Sequence, residues 1–289
     1  MTAAPRVEPA IAFVRARGSA SDLAALKLFL GEPLSDGELA AITDAQNPDG
    51  GFRVPQLATE LSVVGRTAEM LIYLTALGGA DFGSAQAAAD FLVERQRADG
   101  TWDEPEALRA ASPPPHFRPG SKDVVGWETA ACVVALTGIG LPLDFRAPLE
   151  WIRSNRIGNA GARLFRLEAL LAYAAFCRHE GRDAEAAQRL RGEVEGLPES
   201  ALAVFELNWA LLGARAAGLG NAEALLSEFG AALASKQQPD GGFGSGTESN
   251  PYETVLALCS LEHVGLIRMQ RPHAAGAEEP DPGDSDRTM

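Results

Sequence analysis

The stretch QNPDGGF, residues 46–52, recurs as QRADGTW at 96–102 and as QQPDGGF at 237–243. Each copy sets Asp three residues after the Gln, Gly next, and an aromatic six residues after the Gln. Asp-Gly alone signals a tight turn. A glutamine and an aromatic held at fixed offsets from that turn signal an internal repeat instead. The copies start 50 and then 141 residues apart, and the second gap is close to three times 47. The spacing predicts helix pairs repeating about every 50 residues, with two copies between whose spelling has been lost.

Apolar spacing of three and four residues marks helices at Ala85–Gln96, Ala147–Asn155 and Ala222–Gln237. They carry polar faces, and two of them end in the Gln motif, so they read as outer helices. Between them run more uniformly apolar segments: VVGRTAEMLIYLTALGG, VVGWETAACVVALTGIG, LFRLEALLAYAAFCRHEG, ALAVFELNWALLGARAAGLG and NPYETVLALCSLEHVGL. A helix apolar on nearly every side is buried on nearly every side, so these read as inner helices. With Ser19–Leu30 as a sixth, the chain is expected to be all-α, an α/α toroid of six inner and six outer helices. An open row of such pairs would leave an apolar flank bare. The expected division is one toroid domain over residues 1–270 and a disordered acidic tail over 271–289. The irregular insert Asp103–Lys122 is long enough to serve as a lid.

Apolar residues make up 46% of the 289, enough for a sizeable core, and no apolar run spans a membrane. The 25 basic and 39 acidic residues leave a net charge of −14, of which the tail from Ala274 contributes −4. A body this acidic repels phosphate backbones, so nucleic acid is not an expected partner. Three scattered cysteines and the lack of a secretory signal pattern point to a reduced, cytoplasmic setting.

The repeated words resemble the glutamine–tryptophan repeat of the terpenoid cyclase and protein prenyltransferase superfamily, which includes the squalene–hopene cyclases. The resemblance covers most of residues 10–268. It implies a toroid whose central cavity holds an isoprenoid, and possible contact with a membrane surface. The Gln-Asp-Gly-aromatic words themselves read as structural staples.

Three inner helices share a word, RTAEMLIYL at Arg66, WETAACVVAL at Trp127 and YETVLALCSL at Tyr252. Alignment on Thr67, Thr129 and Thr254 puts Arg66, Glu128 and Glu253 at one rung, expected in the first turn and facing the cavity. Glu206, and Glu168 or Arg166, are expected near the same level. In class II terpene cyclases the matching helix opens with Asp-x-Asp-Asp-Thr-Ala, whose middle Asp is the proton donor. Here Glu128 matches the last acid of that word, and Trp127 stands in the donor's place. The prenyltransferase zinc set has no counterpart, since Glu253 stands where its His would be and no Asp-x-Cys occurs.

Glu128, with Glu253 and Glu206, is therefore the expected catalytic set, because a carboxyl in an apolar cavity keeps its proton near neutral pH. The bland alternative for Glu128 is a salt bridge to Arg66 or a favourable helix-start charge. Arg66 and Glu69 are expected to meet the substrate's polar end. Trp127, Trp209, Tyr252 and Phe205 are expected to line the pocket and offer π faces to a cation. No metal site is expected in the protein itself, and Mg²⁺ enters only with a diphosphate substrate. Cys259 and His263, four apart, could present two ligands but show no third. Cys132 and Cys177 read as packing residues, and His116 as part of the lid. The function expected is a non-standard terpene cyclase or isomerase. The alternatives are a non-catalytic isoprenoid-binding toroid and, further off, a carbohydrate-active α/α barrel.

Overall fold

The computed structural model describes residues 5–155, 171–172, 174–176, 178–179, 202–219 and 224–269. Glu168, Arg166, Cys177 and the tail lie outside the described residues. Ten α-helices follow one another along them: α1 Val7–Arg17, α2 Ala20–Phe29, α3 Asp36–Thr43, α4 Val64–Ala76, α5 Gly83–Glu94, α6 Lys122–Gly138, α7 Arg146–Asn155, α8 Val204–Ala216, α9 Ala224–Ala234 and α10 Pro251–His263. Among the described residues no strand forms, only isolated bridges from Phe52 to Gln46 and to Val63.

Even-numbered helices form the inner layer and odd-numbered ones the outer. In α6 an unbroken run from Val124 to Leu136 is buried. In α7, by contrast, Pro148, Leu149 and Ile152 are the buried residues. Inner α4 packs on α6 and α8, α8 on α10, and α10 on α2. The chain is an all-α toroid. The described residues between 171 and 179 are helical and fall where a further inner helix is expected.

The three repeated words explain how the layers lock. In each, the Asp side chain accepts the amide proton two residues on: Asp49 from Gly51, Asp99 from Thr101 and Asp240 from Gly242. The Gln amide donates back to the turn glycine's carbonyl, at 2.9 Å for Gln46, 3.2 Å for Gln96 and 2.8 Å for Gln237. Gly50, Gly100 and Gly241 sit at φ of 85°, 85° and 92°, where a side chain is strained. Each turn seats against the next outer helix, so a Cβ there would strike Ala87 of α5, Ala147 of α7 or Pro9 of α1.

That last contact closes the ring. Gln237 donates to the Arg6 carbonyl at 2.8 Å and accepts from the Arg6 amide at 2.8 Å, so the final repeat clasps the entrance to the first helix. The rung chosen for alignment has a structural reason of its own. The aromatic's amide donates to a threonine hydroxyl of the following inner helix each time: Phe52 to Thr67, Trp102 to Thr129 and Phe243 to Thr254.

One helix departs from expectation. α6 starts at Lys122, more than a turn before Glu128, so Glu128 is not in its first turn. The insert ahead of it is less irregular than its prolines imply, holding 3₁₀ turns at Glu106–Ala111 and Pro115–Phe117. Its two ends are pinned together by Asp103. Both oxygens of Asp103 accept the Gly120 amide at 3.0 Å, and the same carboxylate is paired with Arg97.

Candidate functional site

A cavity of about 760 Å³ opens at the N-terminal ends of the inner helices. Its wall takes Arg66 and Glu69 from α4, Asp123 and Trp127 from α6, Phe205 from α8 and Tyr252 from α10. Val54–Gln56, just past the first repeat, and Pro115–Arg118 of the insert complete the rim. The insert therefore covers part of the mouth. Its His116 carbonyl accepts from the Trp127 indole at 3.4 Å, which ties this cover to a helix of the wall. Deeper in, a void of about 10 Å³ lies between Glu69, Trp127 and Trp209. It has room for about one water molecule.

Part of the cavity's polar lining is one cluster. Arg66 pairs with Glu69 at 3.3 Å and stands beside the Tyr252 phenol. Burial pushes the Tyr252 phenol above its ordinary range, against the pull of Arg66, so it is a neutral O–H at physiological pH. Tyr252 in turn meets Tyr73 edge-on at 5.3 Å, and Phe205 meets Trp209 at 5.9 Å. Such edge-to-face pairs fix aromatic walls in place.

Of the residues expected to touch substrate, Arg66, Glu69, Trp127, Phe205 and Tyr252 share this cavity, and Trp209 lines the void beneath it. The three glutamates expected to be catalytic are placed elsewhere. Glu206 accepts the Ala203 amide at 2.8 Å, closing the first turn of its own helix. Glu253 accepts from the Ser245 hydroxyl at 2.7 Å. Glu128 is fully buried, and among the described residues no donor reaches either of its oxygens. As a carboxylate it would be untenable there. Its acidic neighbour is Glu104, itself only 2% exposed. The salt bridge to Arg66 considered for Glu128 does not form, because Arg66 turns into the cavity.

Glu104 was not singled out by the sequence reading. Its two oxygens accept the amides of Val64 at 2.8 Å and Gly65 at 3.0 Å, so it caps α4, the helix that carries Arg66 and Glu69. Burial raises the Glu104 carboxyl to about 7. Burial, and next the charge of Glu104, hold Glu128 well above the carboxylate range. One signal marked Glu104 in advance: it stands two residues past a repeat aromatic, the offset at which Ser245 follows Phe243.

Cys132 is buried on α6, and burial with the nearby glutamates raises its thiol far above reactivity. Cys259 is buried on α10, and His263 is pushed down to about 4 by burial and then by Arg215. Among the described residues no group of three or more His, Cys, Asp or Glu side chains is placed to hold a metal ion. No described helix is long and apolar enough to cross a membrane.

No protein-family model and no curated protein matches the sequence. Solved structures do match. The class that the fold defines is the α/α toroid, a fold shared with type II terpene cyclases of known structure. The particular likeness is to the type II terpene cyclase MstE from Scytonema. A variant of it in complex with geranylgeranyl dihydroxybenzoate, its substrate, superposes with a TM-score of 0.51 at 16% identity, over 90% of this chain and 97% of that one. Another MstE variant, in complex with its product merosterolic acid A, matches equally well, with a TM-score of 0.51 at 16% identity over 90% and 96% of the two chains. A protein from Actinoplanes matches with a TM-score of 0.50 at 17% identity, over 85% of this chain and 90% of that one. At these identities the likeness shows the fold.

Proposed function

We propose that the protein takes an isoprenoid or similarly apolar small molecule into its central cavity, aromatic walls around the chain and the Arg66–Glu69–Tyr252 cluster at the polar end. The observation that carries this reading is the cavity itself. At about 760 Å³ it falls in the range of small-molecule sites, with Phe117, Trp127, Phe205 and Tyr252 in its wall, Arg66 and Glu69 on its α4 side and further polar side chains around them. The complexes of MstE with an isoprenoid substrate and product support it by likeness of fold. A carbohydrate-active role fits less well. It needs two carboxyls free to act across the site; neither Glu128 nor Glu253 lines it, and of the two acids that do, Glu69 and Asp123, Glu69 is held by Arg66.

A second reading, the terpene cyclase or isomerase, is favoured by one observation: Glu128 is a buried carboxyl that keeps its proton. In that chemistry the acid protonates an alkene carbon, and a carboxylate such as Glu69 removes a proton from the resulting cation. The sum is an isomerised or cyclised hydrocarbon with no redox partner. The reading requires Glu128 to leave Glu104 and swing past Trp127 into the cavity.

Incubation with farnesol, geranylgeraniol, squalene and the corresponding diphosphates, with and without Mg²⁺, tests both readings. Native mass spectrometry reports retained ligand, and mass spectrometry of organic extracts reports products. Retention without conversion is the expected result for the binding reading. A new product lost in Glu128→Ala establishes the enzyme. A protein that retains none of these molecules contradicts both.

A further inference from the structure

We infer that the cavity selects a ligand whose polar end is uncharged, an alcohol, phenol or ketone, over one that ends in a diphosphate. This rests on the isoprenoid reading above and sharpens it.

Four charged side chains line the cavity, Arg66 and Arg118 against Glu69 and Asp123, so its wall carries no net formal charge. The inner cation is already engaged. Arg66 pairs with Glu69 at 3.3 Å, and the two side chains are only 25% and 17% exposed. A diphosphate entering at the inner end would lose its hydration and meet the Glu69 carboxylate beside Arg66, while Arg118 stands exposed at the rim. Proteins that hold such groups converge several basic side chains on them, or bring carboxylates that carry Mg²⁺. Here one of the two lining acids is spent on Arg66, and no metal-holding cluster of acids is found among the described residues. The chain's net charge of −14 adds repulsion at longer range.

A neutral head meets the opposite conditions. The Tyr252 phenol keeps its proton, and Gln56 and Ser121 at the rim both donate and accept, so a hydroxyl or carbonyl finds partners without displacing the ion pair. The ion pair then acts as a filter against charge.

Equilibrium dialysis of wild type and Glu69→Gln against farnesol and farnesyl diphosphate, at two ionic strengths and with and without Mg²⁺, tests the inference. Wild type is expected to bind farnesol at least about tenfold more tightly than the diphosphate. Glu69→Gln is expected to close most of that gap by freeing Arg66, an effect that weakens with salt. Equal or tighter binding of the diphosphate by wild type overturns the inference and leaves the isoprenoid reading standing. A preference for farnesol that Glu69→Gln leaves unchanged also overturns it, because the ion pair is then not the filter. Should Glu69→Gln fail to fold, the wild-type comparison decides alone. Binding of neither compound defeats the isoprenoid reading, and the inference falls with it.

Discussion

At the junction after Trp102, Glu104 receives the amides of Val64 and Gly65 and neighbours the buried Glu128, whose carboxyl is held well above the carboxylate range by burial and then by the charge of Glu104. At the junction after Phe243, Ser245 receives the amide of Phe205 at 2.9 Å and donates to Glu253. The plan is the same: the residue two past the aromatic caps a neighbouring inner helix and meets the acid beside the threonine. The difference is one side chain. A serine hydroxyl donates and accepts at once, so one side chain serves both the Phe205 amide and Glu253. Two buried carboxyls are compatible only while a proton stays between them. At the first repeat that offset holds Val54, and the aligned Arg66 reaches into the cavity instead. Three junctions on one scaffold thus give a buried acid pair, a serine–glutamate tie and a cavity-facing cation.

The largest test removes the cap. Glu104→Ala leaves two buried amides without an acceptor and Glu128 without a partner, at about 1–3 kcal/mol for each unsatisfied group. A loss of about 3–5 kcal/mol is expected in urea unfolding. Ser245→Ala, at an exposed site, should cost no more than about 1 kcal/mol. Equal losses would show that the two junctions do not differ as described.

The acid pair should also make stability fall as pH rises. Free carboxyls in the unfolded chain ionise near 4.5, whereas Glu104 in the folded chain holds its proton to about 7. The contribution is therefore fully present below pH 4.5 and is lost as pH climbs through 7. A displacement of that size corresponds to on the order of 3 kcal/mol. Glu128→Gln removes one of the two buried acids and leaves Glu104 titrating, so it should lessen this slope between pH 5 and 8 without abolishing it. A wild-type stability that rises over that interval would contradict the pairing.

The smallest effects should be alike. Thr129→Val and Thr254→Val each remove one acceptor of an aromatic's amide, so each should cost about 1 kcal/mol. A large difference between them would mean that the shared plan is shallower than the hydrogen bonds indicate.

Most of the fold was legible because the repeat spells its own hydrogen bonds. The Gln, the Asp, the positive-φ Gly and the aromatic each make the same contact in every copy. The rung Arg66, Glu128 and Glu253 was legible as a rung, since Thr67, Thr129 and Thr254 all receive the aromatic's amide. Its direction was not. Residues beside the threonine stand at a seam between helices, and what they face is set by the residue two past the aromatic in another segment. Glu104 was therefore overlooked, and Glu128 was expected at the cavity wall. Arg66 reaches the cavity because its side chain is long enough to find Glu69 and Tyr252. The start of α6 was misjudged because Lys122 reads as the end of a proline-rich loop, although it opens the helix's first turn.

The central claim is that the cavity at the N-terminal ends of the inner helices holds an apolar ligand. Photo-crosslinking with a diazirine analogue of farnesol, followed by peptide mapping, tests it most directly. The account predicts adducts on Phe117, Trp127, Phe205 and Tyr252 that unlabelled farnesol competes away. Competed adducts confined to the outer helices, with none on those four residues, would contradict it.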